Sequence, residues 1–312
     1  MKMGKRDLLT IANLTADEVR HLLDRAKLLK QWRLQGIAHK PLDGKTLGMI
    51  FHKPSTRTRV TFEVGMYQLG GLALFLSEKE IQLGRGETVA DTSQVLSRYL
   101  DSVVIRTYKQ SDLEEFASKA TIPVINGLSD SFHPCQVLSD MMTIEEYFSG
   151  LDGIKMTYVG DFNNVTNSLI LGALMMGISL TVACPEGYVV SDELKEKLAL
   201  VEKNAKGTYK VMTDPFEAVK GADIIYTDVW VSMGQEDQHD EKLKYFAPYQ
   251  VNSKLVASAP EGVKIMHCLP AHRDEEITSD VLDSANSIIF DQAENRLHLQ
   301  KAVLEFLMAE TF

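Results

Sequence analysis

The segment Phe51-His-Lys-Pro-Ser-Thr-Arg-Thr-Arg59 sets three hydroxyls and two guanidiniums within five residues. The apolar run Thr46–Phe51 ends just before them, and Pro54 and Ser55 sit at a turn. Ser55 and Thr56 are residue types that cap helix N-termini, and the helical pattern Arg57–Leu69 stops at Gly70–Gly71. Free backbone N–H groups, the helix dipole and arginine together make an oxyanion site. The plainer alternative is a capped helix with an Arg59–Glu63 surface pair, and for Arg59 alone both readings stand. A cap needs one hydroxyl rather than three, which favours the anion site for the cluster. The segment lacks the G-x-x-x-x-G-K-[ST] pattern of a nucleotide-binding loop. The turn Gly160-Asp-Phe-Asn-Asn164 carries one of the three glycines of a dinucleotide fingerprint, so that function is poorly supported.

Other polar groups fall in similar places. Arg106 follows Val103-Val-Ile, and His133-Pro-Cys-Gln136 follows the run Ile122–Ile125. Later, Asn163–Asn164, Asp228 and Cys268 follow the runs Lys155–Val159, Asp223–Thr227 and Lys264–His267. Leu72–Leu76, Leu180–Cys184, Tyr209–Met212 and Ser287–Phe290 read as further strands, while Thr88–Leu100 and Ser168–Met176 read as helices. Strands alternating with helices predict an α/β fold of two domains, each a parallel sheet flanked by helices. In such sheets ligands sit beyond the carboxyl ends of the strands, so two rows of polar groups predict an active site in the cleft between domains. The expected domains are 1–150 and 151–312, divided near Gly150–Gly153, with Cys135–Phe148 as a connecting helix. Whether the last helix, Ala293–Met308, packs back on the first domain stays open.

Composition bounds the partners. The 312 residues are 45% apolar and 24% charged, an ordinary globular balance for about two domains. The formal net charge of −10 argues against nucleic acid and anionic membrane as partners, and makes a local arginine cluster informative. Three scattered cysteines (Cys135, Cys184 and Cys268) point to a reducing compartment rather than a disulfide framework. Neither C-x-x-C nor H-E-x-x-H occurs, so no metal is expected. The opening Met1-Lys-Met-Gly-Lys has no apolar signal region after it, and the stretch Leu169–Cys184 is short for a bilayer span. A cytoplasmic protein is expected.

Four motifs in order, Ser55-Thr-Arg-Thr-Arg59, His133-Pro-Cys-Gln136, Asp228-Val-Trp-Val-Ser-Met-Gly234 and His267-Cys-Leu-Pro270, resemble the aspartate/ornithine carbamoyltransferase family. The likeness runs from Thr46 to Arg296. Cys268 stands where the aspartate branch has the first proline of His-Pro-Leu-Pro, so the ornithine branch is the nearer. The resemblance implies transfer of the carbamoyl group of carbamoyl phosphate to the side-chain amine of L-ornithine, giving citrulline and phosphate without a cofactor. Acceptors such as putrescine or an acylated ornithine are the neighbouring alternative. A nicotinamide-dependent dehydrogenase and a non-catalytic anion-binding protein are the rivals from other classes. It further implies that Ser55, Thr56, Arg57, Thr58, Arg106, His133, Gln136, Cys268, Leu269 and Arg296 bind carbamoyl phosphate. Asn164, Asp228, Ser232 and Met233 would bind ornithine, with Arg57, Arg106, His133, Asp228 and Cys268 catalytic. Gln82 lies in the segment that reaches a neighbouring subunit, where some members carry His. A homotrimer, or a multiple of it, is the implied assembly. His52 and Lys53 receive no role. The plain alternatives are that Cys268 is an inert buried thiol, Asp228 a loop cap and Ser232-Met-Gly an ordinary turn.

Overall fold

β-Branched and aliphatic runs form parallel strands, of which the inner ones are buried on both faces because helices cover each side of the sheet. The computed structural model describes residues 5–77, 86–187, 190–231 and 239–309. These divide into two units, Met1–Met142 with Glu294–Phe312, and Thr143–Ala293.

The first unit contains α1 (Ala16–Leu34), β1 (Thr46–Phe51), α2 (Thr56–Gln68), β2 (Leu72–Ser77), α3 (Val89–Leu96), β3 (Ser102–Arg106), α4 (Gln110–Lys119) and β4 (Val124–Leu128). Helix α5 (Pro134–Phe148) follows and runs past the end of the unit. Its strands lie in the order β2-β1-β3-β4, all parallel. Chain progression therefore reverses at β1, and the switch point falls between the carboxyl ends of β1 and β3. Phe51 pairs with Arg106, and Arg106 with Leu128, so the loops after β1, β3 and β4 leave from one edge. The edge strand β2 is the less buried one and leaves Leu72 and Leu74 exposed.

In the second unit the order is β5 (Lys155–Val159), α6 (Asn164–Met176), β6 (Ser179–Ala183), α7 (Asp192–Val201), β7 (Thr208–Met212), α8 (Pro215–Val219) and β8 (Ile224–Thr227). Then come α9 (His239–Phe246), α10 (Ser253–Val256), β9 (Lys264–His267), α11 (Ser279–Leu282) and α12 (Ile289–Met308), whose residues from Glu294 count with the first unit. The sheet order β7-β6-β5-β8-β9 puts its switch point between β5 and β8. Helix α6 is buried on all sides from Val165 to Met176 and ends on Gly177 at φ 87°, a left-handed position that suits glycine.

Three local expectations are corrected. Ser287–Phe290 is not a strand. A single bridge joins Ser287 to Ile265, and α12 begins at Ile289, so a short apolar run has become a helix start with Ile288 and Ile289 buried and Phe290 exposed. The strand expected at Ile122–Ile125 is shifted to Val124–Leu128, and the helix expected to Leu100 ends at Leu96.

Candidate active site

Ser55 is the N-cap of α2, and its Oγ accepts the Thr58 N–H at 3.3 Å. The first turn of α2 thus presents Thr56, Arg57 and Thr58 at the positive end of the helix, beyond the end of β1. Arg296 reaches the same turn from α12. Its two terminal nitrogens donate to Gln136 Oε1 at 2.6 Å and to Thr58 Oγ1 at 2.7 Å. Gln136 in turn donates to Asp140 Oδ1 at 2.8 Å, which fixes its orientation. Arg106, the last residue of β3, is buried, and its Nε has no acceptor among the described residues.

Burial, then Arg296 and Arg57, push the Arg106 guanidinium down to about 10, so it stays charged at neutral pH. His133 is held well below the ordinary histidine range by burial first, then by Arg296, Arg106 and Arg57. Its imidazole is neutral and can donate a proton in a hydrogen bond without adding charge. Three guanidiniums around a neutral donor, in a chain of net charge −10, form a strongly local anion site. The neighbouring Cys135 is not a competing nucleophile. Burial pushes its thiol up to about 12, and it donates to the Asn126 carbonyl at 3.5 Å.

The second unit builds an acidic counterpart beyond β5, β8 and β9. Asn163 caps α6 through Oδ1, which accepts the Val165 and Thr166 N–H groups at 2.9 and 3.2 Å. Its Nδ2 donates to Asp228 Oδ2 at 2.7 Å. Asp228 Oδ1 accepts the Val229 N–H at 2.8 Å and the Cys268 thiol at 2.9 Å. The carboxylate is therefore buried, fixed and joined to the sulfur. Beside it, His267 is fully buried. Its Nδ1 accepts the Leu269 N–H at 2.8 Å, so Nε2 carries the proton and donates to Glu276 Oε1 at 2.9 Å. Glu276 Oε1 also accepts the His272 N–H at 2.7 Å. This triad holds Leu269 at φ 56°, a strained conformation for a bulky residue. Asp228, His267 and Cys268 bring ligand atoms within 4.8 Å of one another. Both His267 nitrogens are already engaged, however, which leaves a metal no imidazole lone pair without breaking the triad.

Of the residues expected from sequence, Ser55, Thr56, Arg57, Thr58, Arg106, His133, Gln136 and Arg296 fall in one unit, around one point. Asn164, Asp228, Cys268 and Leu269 fall in the other. Asn164 is the first residue of α6, one past the cap. Gln82, Ser232 and Met233 lie outside the described residues. Asn163 was expected among the polar groups beyond β5 but without a binding role, and His267 and Glu276 were given no part in the site. The adjacent asparagines before a helix were a usable cap signal for Asn163. Nothing local pointed to Glu276.

Comparison with known proteins also divides the chain in two, but assigns the stretch with Arg296 to the second part by sequence, where the fold packs it with the first unit. Residues 6–146 match the family model "Aspartate/ornithine carbamoyltransferase, carbamoyl-P binding domain", and residues 152–307 match its Asp/Orn binding domain. The chain is 53% identical to an ornithine carbamoyltransferase of Syntrophus aciditrophicus, over 97% of this chain and all of that protein. It is 52% identical to the anabolic ornithine carbamoyltransferase of Pyrococcus furiosus, over 99% of this chain and 98% of the relative. The solved structure of the ornithine carbamoyltransferase from Pyrococcus furiosus superposes with a TM-score of 0.93, covering 99% of this chain and 98% of that one. Matched in sequence and fold along nearly its whole length, the chain belongs to the aspartate/ornithine carbamoyltransferase family.

Proposed function

We propose that this protein is an ornithine carbamoyltransferase, moving the carbamoyl group of carbamoyl phosphate to the side-chain amine of L-ornithine. The observation that carries the reading is the convergence of Arg57, Arg106 and Arg296 on a neutral His133. That set suits a substrate with both a phosphate and a carbonyl. The arginines and the α2 N-terminus neutralise the phosphate as it leaves. His133 donates to the carbonyl oxygen, where negative charge grows as the amine attacks. Gln136 and Thr58 aim Arg296 through their hydrogen bonds. Leu269, with its N–H engaged by His267, offers a substrate its carbonyl, an acceptor for the carbamoyl N–H groups.

The amine is an ammonium at neutral pH and releases one proton to solvent before it attacks. As the C–N bond forms and the bond from the carbonyl carbon to the phosphate oxygen breaks, a second proton leaves with the phosphate. Asp228 draws the cation in and holds it, with the Cys268 thiol beside it. Asn164 and the segment containing Ser232 and Met233 recognise the amino-acid end of ornithine. Relatives named anabolic support the direction toward citrulline. The half-exposed apolar face of β2, with Leu72 and Leu74, supports assembly into a homo-oligomer, read as a homotrimer or a multiple of it. Free cysteines, and the absence of a helix long and apolar enough to cross a membrane among the described residues, support a cytoplasmic location. The test is citrulline formation by the purified protein from carbamoyl phosphate and a panel of amines. Efficient use of L-ornithine with weak use of putrescine is expected. A preference for putrescine or an acylated ornithine would overturn the assignment of the acceptor.

A further inference from the structure

Lys53 has no part in the reaction described above, although it lies two residues before Ser55. Its side chain is 4% exposed, and an ammonium at that depth needs partners. It has two. Nζ donates to Asp130 Oδ1 and lies 4.3 Å from the centre of the Tyr108 ring. The three residues come from three loops, after β1, β3 and β4. Strands β1 and β4 are not neighbours, since β3 lies between them. The Lys53–Asp130 pair therefore joins two loops that no sheet ladder connects.

The loop next to each is tied in as well. The His52 N–H donates to the Arg106 carbonyl at 2.8 Å, and the Asp130 N–H donates to the Tyr108 carbonyl at 2.8 Å. His52 Nδ1 and Thr107 Oγ1 are 3.0 Å apart. Each knot sits beside a substrate-binding group. Arg106 is two residues before Tyr108, and His133 is three after Asp130. Asp130 also supplies the negative charge that favours the Arg106 guanidinium against Arg296 and Arg57.

Building on the carbamoyl phosphate reading, we propose that Lys53, Tyr108 and Asp130 are positioning residues, a clamp that sets the β1, β3 and β4 loops so that Ser55–Thr58, Arg106 and His133 address one anion. The clamp acts on geometry rather than on the reacting atoms. Misplacing a binding group by about 1 Å costs on the order of 10²-fold. The rival is that Lys53 itself contacts the phosphate. The two differ in what Asp130 does. A clamp needs its carboxylate, whereas a phosphate-binding lysine is hindered by it.

The experiment uses full-length Lys53→Met, Asp130→Asn, Asp130→Glu and the double variant Lys53→Met/Asp130→Asn. The readouts are kcat, the KM of each substrate, and calorimetric binding of inorganic phosphate. Lys53→Met and Asp130→Asn should each raise the KM of carbamoyl phosphate by about 10–100-fold, with the KM of ornithine little changed. The double variant should be no worse than the worse single one, since both break the same contact. Asp130→Glu, which keeps the carboxylate at an exposed position, should restore near wild-type values. An unchanged or lower KM in Asp130→Asn beside a raised one in Lys53→Met would overturn the clamp and make Lys53 a direct ligand. Additive effects, or unchanged KM in both singles, would also overturn it. If Lys53→Met does not fold, the two Asp130 variants decide, because that side chain is at the surface. Should the wild type make no citrulline, the carbamoyl-transfer reading falls separately, and phosphate affinities read the clamp by the same pattern.

Discussion

Replacing Asp228 by asparagine tests the acceptor half of the site with almost no change of shape. Oδ2 accepts from Asn163 Nδ2, while Oδ1 accepts from the Val229 N–H and the Cys268 thiol. An amide has one acceptor oxygen and one donor nitrogen. If its oxygen takes the place of Oδ1, its NH₂ faces the NH₂ of Asn163. Asn163 cannot turn, because its own oxygen caps α6 at Val165 and Thr166. If the amide is reversed, its NH₂ faces the Val229 N–H instead. Either way a donor at a 6%-exposed site is left without an acceptor, which costs about 1–3 kcal/mol. Unfolding of 312 residues gains about 0.65 kcal/mol/K of entropy, so the melting temperature should fall by about 1.5–5 °C. On the proposed role of Asp228 function should suffer more, because the charge assigned to hold the ammonium is gone. We expect kcat/KM for ornithine to fall by about 10²–10³, on the scale of one lost electrostatic contact in a transition state. Steady-state citrulline formation at saturating carbamoyl phosphate measures this, and the KM of carbamoyl phosphate should change little. A variant that melts lower yet keeps near wild-type kcat/KM for ornithine would refute the role of Asp228 and leave it a loop cap.

Arg57→Ala should keep the fold and lose about 10²–10³ in rate, as one phosphate-neutralising donor disappears; near wild-type turnover would remove Arg57 from the site. Arg296→Met loses two charge-assisted hydrogen bonds but also relieves repulsion from Arg57 and Arg106, so phosphate should stabilise it far less than the wild type, which gains about 2.7 kcal/mol at a hundredfold excess over Kd. Equal phosphate-induced shifts in melting temperature would contradict this. His298 is pushed down to about 3 by burial, then by Lys301, Lys30 and Arg33. The unfolded chain therefore takes up a proton near pH 6.5 that the folded chain refuses, and the stability present above about 6.5 is lost progressively toward pH 3. His298→Gln should melt less steeply with falling pH across that window, and identical slopes would count against the shift. Cys268→Ser keeps a donor toward Asp228 and should retain most activity, whereas Cys268→Val leaves Oδ1 short of a partner and should lose more; equal kinetics in the two would make the sulfur a spacer.

Much of this protein is local and was legible in the residue order. Thr46–Phe51 and Lys155–Val159 form strands as expected, because a short apolar run between turn signals has few alternatives inside an α/β chain. Ser55 caps α2 as its type predicts, since the cap bond spans only three residues. The position of Arg106, His133, Asp228 and Cys268 after strands followed from the same periodicity, and parallel topology then placed them at one edge of each sheet. Local pattern failed at Ser287–Phe290, where a brief apolar run fits a strand or a helix start equally well and packing chose the helix. What only the tertiary structure decided are the pairings over distance. Arg296 meets Thr58 across 238 residues, and Lys53 meets Asp130 across 77. Glu276 fixes the tautomer of a histidine nine residues away. The neutral state of His133 belongs to this class as well, because it depends on burial and on arginines from three separate elements. Residue types and spacing specify which groups are available, but the energy of a buried charge depends on which others the fold brings beside it.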